Sequence, residues 1–208
     1  MTRVEAKQRT RGRLIEATLE VLYREGEAKL TTGRVAAAAG VAQPTFYVHF
    51  ASMDEALTEA AERVSERVRV RLRDYREGLG VESPREAVAR TFSSSLRALL
   101  AEPHMTELFL RHRRDVSSPL GRRFRQTIDA ARHDLREDLL RMGLVKHEET
   151  AAVQAELLVG MVLAATEGLL DGRLLEIATA SRALTEVAEH FLRAAAAAGK
   201  GSEQAEPR

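Results

Sequence analysis

Apolar residues recur at helical spacing along most of the chain, and Gly, Pro or polar residues separate the segments. Positions three or four residues apart share one face of an α-helix, and no window alternates apolar and polar residues as a half-buried strand does. The pattern therefore predicts an all-α protein. The predicted helices cover about residues 5–25, 31–40, 43–50, 52–75, 84–100, 104–114, 119–142, 148–170 and 174–198.

The most informative stretch is residues 31–50, with the sequence TTGRVAAAAGVAQPTFYVHF. Gly40 ends the first of two short helices at a position that favours left-handed backbone. Pro44 lies at the start of the second helix, where its missing N–H costs nothing. Phe46 and Phe50 share one face of that helix. Two short helices joined by a glycine turn, with polar residues displayed on the second, predict a DNA-binding helix-turn-helix.

The string AAGVAQPTFYVHF, with LTT before it and ASMDEAL after it, resembles the N-terminal DNA-binding domain of the TetR family of bacterial transcriptional regulators. The resemblance covers roughly residues 8–60. Many members carry Ser where this chain has Ala42 and Lys where it has Met53, so a helix cap and a phosphate contact are absent. Ala42, Phe46 and the apolar residue 53 are more similar to the subgroup that represses unsaturated fatty-acid synthesis genes.

This resemblance implies a three-helix DNA-binding domain over residues 1–51 and a helical ligand-binding and dimerisation domain over 52–198. Residues 199–208 are polar and expected to be disordered. Gln43 suits adenine and the Thr45 methyl suits the thymine methyl, whereas Tyr47 and Thr32 are expected to bond phosphates. The full set of residues predicted to contact DNA is Thr32, Arg34, Gln43, Pro44, Thr45, Tyr47 and His49. For His49, capping its own helix end is an equal alternative.

Charge and composition say less about function than the helix-turn-helix motif does. The net charge is only +1, but residues 1–13 carry a basic arm that is expected to meet DNA phosphates. The arm consists of Arg3, Lys7, Arg9, Arg11 and Arg13. The chain has no cysteine, and we find neither a signal peptide nor a continuous apolar run of membrane-spanning length. These features predict a cytoplasmic protein that does not cross a membrane.

Two further sites are predicted in the second domain. Small residues at every fourth position of the eighth helix, Gly160, Ala164 and Gly168, indicate close helix packing. We favour a homodimer interface there, with packing inside one chain as the alternative. Apolar side chains are expected to line a pocket for a small hydrophobic effector; they are Phe92, Leu96, Leu99, Met105, Leu108, Phe109, Phe124, Ile128 and Met161. The resemblance points to a fatty acid or an acyl-CoA. For an acyl-CoA, the arginines of residues 111–125 are candidates to bind the phosphates of the CoA group.

No phosphate-binding glycine loop, nucleophile motif or metal-ligating histidine pair is present, so neither an enzyme nor a bound metal or cofactor is predicted. The preferred interpretation is a ligand-responsive repressor that binds a palindromic operator in double-stranded DNA. Two alternatives remain. One is a repressor of a drug-efflux gene with a different hydrophobic effector. The other is a helical interaction or enzyme module that has lost DNA binding.

Overall fold

The computed structural model describes residues 2–76 and 84–203, in which all regular structure is helical and no strand occurs. This confirms the all-α prediction. A short 3₁₀ helix, Glu27–Lys29, precedes α2. The α-helices are α1 (Arg3–Glu25), α2 (Thr32–Ala38), α3 (Gln43–His49), α4 (Met53–Arg76), α5 (Pro84–Leu100), α6 (Pro103–His112), α7 (Pro119–Arg141), α8 (Glu148–Leu170) and α9 (Ile177–Glu203).

The last helix differs from its predicted bounds at both ends. It begins at Ile177 rather than at residue 174, because Gly172 adopts a φ of 69° and the N–H of Leu174 donates to the carbonyl of Gly168 at 2.9 Å. This turn satisfies the end of α8 and delays α9. Helix α9 then continues to Glu203, five residues into the predicted tail. Residues 204–208, and the glycine-rich loop predicted within 77–83, lie outside the described residues.

The chain divides into two compact units, and the first comprises Met1–Arg67 and Arg111–Arg125. The predicted boundary after residue 51 differs, since the first part of α4, the end of α6, the loop before α7 and the start of α7 group with the helix-turn-helix. In this unit α1 packs on α2, and α2 packs on α3. The core residues that are at most 2% exposed include Leu14, Leu22, Val35, Ala36, Phe46, Phe50, Ala56, Ala60, Ala61, Val64, Leu120 and Phe124.

The second unit comprises Val68–Leu110 and Gln126–Arg208. Its helices α5, α8 and α9 pack against one another. Small side chains let these helices approach closely, and the buried cluster between them is rich in alanine. The cluster consists of Phe92, Leu96, Leu139, Val145, Ala151, Leu158, Ala165, Ala180, Leu184 and Ala188.

Helix α8 is the most apolar of these elements. Its best stretch has a mean hydropathy of 1.5, so by length and composition alone it passes as a membrane span, and it is the one described helix that does so. The buried helices of proteins that do not enter membranes pass the same test. Ala151, Ala155 and Leu158 of α8 are buried within this unit, whereas only 33% of the apolar stretch is buried in the single chain.

Candidate nucleic-acid interface

The candidate interface is built on α3, whose position is fixed by the preceding turn. Gly40 has a φ of 65°, and the N–H of Val41 donates to the carbonyl of Ala36 at 2.9 Å. Phe46 is fully buried and its ring centroid lies 5.4 Å from that of Phe50. Two aromatic side chains thus hold one side of a seven-residue helix, which is too short to be stable in isolation. The local prediction for residues 31–50 is confirmed.

The other side of α3 faces solvent. Gln43, Pro44, Tyr47 and Val48 are exposed, the last two by 57% and 65% of their surface, and Thr45 is half-buried. Five of the six positions from 43 to 48 are therefore accessible in whole or in part, and the sixth is the buried Phe46. This face has the dimensions of a recognition helix that enters a major groove.

Three of the predicted contact residues form one hydrogen-bonded group, which we call the polar triad: Thr32, Gln43 and Tyr47. The Gln43 amide nitrogen donates to the Thr32 hydroxyl at 3.0 Å, and the Tyr47 hydroxyl lies 3.3 Å from the same oxygen. Thr32 belongs to the first turn of α2, so the triad joins the two helices of the motif at their exposed edge. Its hydroxyl and amide groups are of the kind that bond phosphate oxygens.

Arg34 and His49 are less available than predicted. Arg34 forms an ion pair with Glu25, which offsets its charge. His49 is only 8% exposed, and its burial, together with the positive charges of Lys7 and Arg11, lowers its pKa. A buried neutral imidazole is poorly suited to a phosphate contact. The ring nitrogen Nδ1 of His49 is buried without a hydrogen-bond partner, so this nitrogen does not cap the carboxyl end of α3.

Arg11 has a role that sequence reasoning missed. Its guanidinium donates to the backbone carbonyl of His49 and forms ion pairs with Glu55 and Glu59 of α4. It also lies over the Phe50 ring, 4.2 Å from the centroid. We call these contacts the Arg11 network. They join α1, the carboxyl end of α3 and α4, and the hydrogen bond to Glu59 raises the pKa of Arg11 above its ordinary value.

The predicted basic arm is thus split into two parts. Arg11 and Arg13 are used within the unit, since Arg13 donates to the carbonyl of Ala39. Arg3, Lys7 and Arg9 are exposed on α1 and have no ion-pair partner among the residues that the structure describes. Lys7 is close enough to lower the pKa of His49, so one of the unpaired cations lies near the end of α3. Such cations are available to phosphates.

In the second unit, Phe92 and Leu96 belong to the buried cluster and Met161 packs against it. Leu99, Leu108, Phe109 and Ile128 are also buried there, Met105 is half-buried, and Phe124 falls in the first unit. These side chains would be buried in a packed core as well as in a ligand pocket. Their role as the lining of an effector pocket therefore stays a prediction. Among the described residues, no group of three or more His, Asp or Glu side chains is placed to hold a metal ion.

The three residues predicted for the dimer interface are placed differently. Gly160 and Ala164 are exposed in the single chain, and a Cβ built on Gly160 would meet nothing within 4 Å. Gly168 is buried, and a Cβ there would come within 3.1 Å of the Leu174 side chain. Gly168 therefore accommodates a residue of its own chain, which is the alternative stated above, while Gly160 and Ala164 remain open to a partner.

Comparison with known proteins matches residues 14–60 to the family model of bacterial regulatory proteins, tetR family. No curated protein matches the chain. A transcriptional regulator from Rhodococcus sp. Rha1 shares 22% identity at a TM-score of 0.68, covering 89% of this chain and 97% of its own. A TetR-like transcriptional regulator from Rhodococcus sp. RHA1 shares 20% identity at a TM-score of 0.68, covering 88% and 96%. The multidrug binding protein EbrR, complexed with imidazole, shares 21% identity at a TM-score of 0.58, covering 85% and 93%.

Residues 14–60 therefore carry the sequence pattern of a tetR-family DNA-binding domain, in agreement with the geometry of α2 and α3. The chain as a whole has the helical fold of these solved regulators.

Proposed function

We propose that the protein is a dimeric, ligand-responsive repressor that binds a palindromic operator and is released or retained by a small hydrophobic effector. The observation that carries the DNA-binding part is the accessible face of α3, held from behind by Phe46 and Phe50 and flanked by the unpaired cations of α1. Two such helices about 34–36 Å apart would enter successive major grooves of one duplex. A regulator of this kind acts in the cytoplasm, where it binds chromosomal DNA, and needs no enzymatic activity.

The test of DNA binding is selection of duplexes from a random pool, followed by titration of the selected sequence at two salt concentrations. We expect a Kd of about 10⁻⁸ M or tighter and a steep loss of affinity with salt. Tyr47→Phe removes the hydroxyl of the polar triad and should weaken binding to selected and unselected duplexes alike. Thr45→Ala should instead relax the preference at one base pair. Arg24→Ala, which removes only an exposed pair with Glu20, is the matched control.

The dimer part of the proposal rests on an apolar stripe along α8. Val153, Leu157, Gly160 and Ala164 are spaced four, three and four residues apart, and all four are exposed in the single chain. This spacing puts them on one face, and an exposed apolar stripe of this length favours packing against an identical helix. The two small residues would let the backbones approach closely.

Leu157→Glu tests the stripe, since it would place two charges in the centre of the interface. Sedimentation velocity should show a dimer for the wild type and a monomer for this variant. Val116→Glu alters a similarly exposed apolar residue of the first unit and should remain dimeric. Dimers of Leu157→Glu that are as stable as the wild type would contradict the assignment.

The effector part is supported by the apolar interior of the second unit and by the sequence similarity to fatty-acid regulators. The alternative, a repressor of a drug-efflux gene with a different hydrophobic effector, is supported by the shared fold of EbrR, a multidrug binding protein. Native mass spectrometry of the purified protein separates the two. A co-purified fatty acid or acyl-CoA supports the first, whereas release of the operator only by unrelated hydrophobic cations supports the second.

A further inference from the structure

The outermost ridge of α3 is apolar, whereas the base contacts predicted from the sequence were Gln43 and the methyl group of Thr45. With 3.6 residues per turn, Pro44 and Val48 lie about 40° apart around the helix axis, and each is about 160° from the buried Phe46. Gln43 and Tyr47 lie to one side of this ridge and Thr45 to the other. Pro44 and Val48 therefore point most directly away from the core, and we call them the apolar ridge.

Val48 has no structural reason to be valine. It is 65% exposed, so it contributes little to the core, and a β-branched residue is slightly unfavourable in a helix. A single exposed valine is ordinary on a protein surface. Here, however, it lies one turn after an exposed proline, on the centre of the face that the helix-turn-helix presents to DNA. The ridge is thus the part of the protein that would go deepest into the groove.

The polar side chains are drawn away from that centre. Gln43 donates to the Thr32 hydroxyl, and the Tyr47 hydroxyl lies beside the same oxygen. Both side chains are therefore directed along the helix surface toward α2. This arrangement favours contacts with the sugar–phosphate backbone on that side, and it leaves the apolar ridge to meet the base edges.

The thymine C5-methyl is the apolar group that base edges display in the major groove of unmodified DNA. Resting on the proposed function, we propose that Val48, supported by Pro44, makes an apolar contact with a thymine methyl in each operator half-site. Val48 is accordingly a specificity-determining residue that selects an A·T pair at that position. The exposed cations Arg3, Lys7 and Arg9 supply the complementary charge for the flanking phosphates, and Lys7 lies near the end of α3.

The test uses the duplex selected by the wild-type protein, with each thymine replaced in turn by deoxyuridine, which lacks only the methyl group. We expect the position that Val48 contacts in each half-site to lose about fourfold in affinity, the factor for one buried methyl or methylene group. A thymine that meets the Thr45 methyl is expected to respond separately, and its response should persist in Val48→Ala, whereas thymines elsewhere should change little. 5-Methylcytosine paired with guanine at the same position should bind better than unmodified cytosine, because it restores the methyl.

Val48→Ala should bind the thymine duplex several-fold more weakly and should no longer distinguish it from the deoxyuridine duplex. Val116→Ala, at a similarly exposed position outside the motif, should keep the full thymine preference. Circular dichroism and thermal unfolding check that both variants fold as the wild type does.

The outcomes separate the two proposals. Failure of the wild-type protein to bind any duplex selectively would overturn the proposed function itself. Selective binding that is indifferent to every methyl deletion, or a thymine preference unchanged in Val48→Ala, would overturn only the role of the apolar ridge.

Discussion

The helices inside the first unit and the helices inside the second unit are stabilised by different kinds of contact. In the first unit, a few contacts with exacting geometry fix the helices, among them the Arg11 network and the turn at Gly40. In the second unit, α5, α8 and α9 pack through many small apolar side chains, including Ala151, Ala165 and Ala188. We infer that the first unit is sensitive to single substitutions, whereas the second spreads its stability over many similar contacts.

The difference follows from size and from purpose. Helices α2 and α3 have seven residues each, so neither can bury enough surface to fix its own orientation. A recognition helix must nevertheless be held accurately, and polar bonds from neighbouring elements do this. Long helices such as α8, with 23 residues, can rely on packing along their whole length. The following four comparisons test this contrast, in order of decreasing effect.

The largest contrast is expected between two glycines. In the first unit, a Cβ on Gly121 would clash with the Asp115 backbone carbonyl and come within 2.7 Å of the His112 carbonyl oxygen. Gly121→Ala should therefore lower the free energy of unfolding by about 3 kcal/mol or more. Gly160→Ala in α8 meets nothing within 4 Å inside its own chain. Made in the Leu157→Glu background, where the proposed dimer contact is absent, it should raise the free energy of unfolding by about 0.5–1 kcal/mol, since alanine is the better helix former. Urea denaturation measures both, and a loss at position 160 comparable to that at 121 would contradict the contrast.

A second pair compares two arginines whose side chains are equally exposed, at 31%. Arg11→Ala removes a charge-assisted bond to a backbone carbonyl, two ion pairs and a ring contact, and should cost about 1.5–3 kcal/mol. Arg132→Ala in the second unit removes its ion pairs with Asp129 and Glu156 and should cost less than about 1 kcal/mol. The same denaturation experiment measures both. Arg11→Ala should also weaken operator binding, because the end of α3 loses its support; equal costs for the two variants would argue against a special role for Arg11.

The third pair compares two helix N-caps. The Thr31 hydroxyl accepts from the N–H of Arg34 at 3.3 Å, whereas His147 at the start of α8 makes no side-chain cap bond. Thr31→Ala should lower the free energy of unfolding by about 1 kcal/mol, and His147→Ala should change it by less than about 0.5 kcal/mol. Thermal unfolding of both variants at one pH is the measurement. A larger loss at His147 would show that the cap is not what distinguishes the two helices.

The smallest expected effect is a pH dependence from the first unit. Burial lowers the pKa of His49 and of His112 from the ordinary value of 6.5. Because the unfolded chain then binds more protons than the folded chain, the free energy of unfolding should fall as the pH drops through 6.5. The double variant His49→Gln, His112→Gln should show a flatter dependence between pH 7.5 and 5.5. A dependence as steep as that of the wild type would assign the effect to other groups.

The sequence predicted correctly those features that depend on residues close together along the chain. The glycine turn at Gly40 and the aromatic pair Phe46 and Phe50 are encoded within twenty residues. The start of α3, with Pro44 in its first turn as predicted, is equally local. In each case the partner lies within one or two helical turns, so periodicity and capping preferences are sufficient.

Features that depend on distant partners were not predictable in the same way. The charges of Arg11 and Arg13 gave no sign of partners 26–48 positions away, and Gly168 gave none that Leu174 would fill its space. Val48 lies off the core face of α3, and the role proposed for it depends on the hydrogen bonds that draw Gln43 and Tyr47 aside. In the second unit, an apolar side chain has the same sequence signature whether it fills a core or lines a cavity, so composition alone cannot identify an effector pocket.

In helix α3 the supporting side chains Phe46 and Phe50 point inward, and Val48 points outward. With Val48 in the role proposed above, a codon change at position 48 would carry almost no folding penalty, while it would alter which promoters the protein occupies. After a gene duplication, one copy could acquire new targets through that single site, without compensating changes elsewhere in the domain.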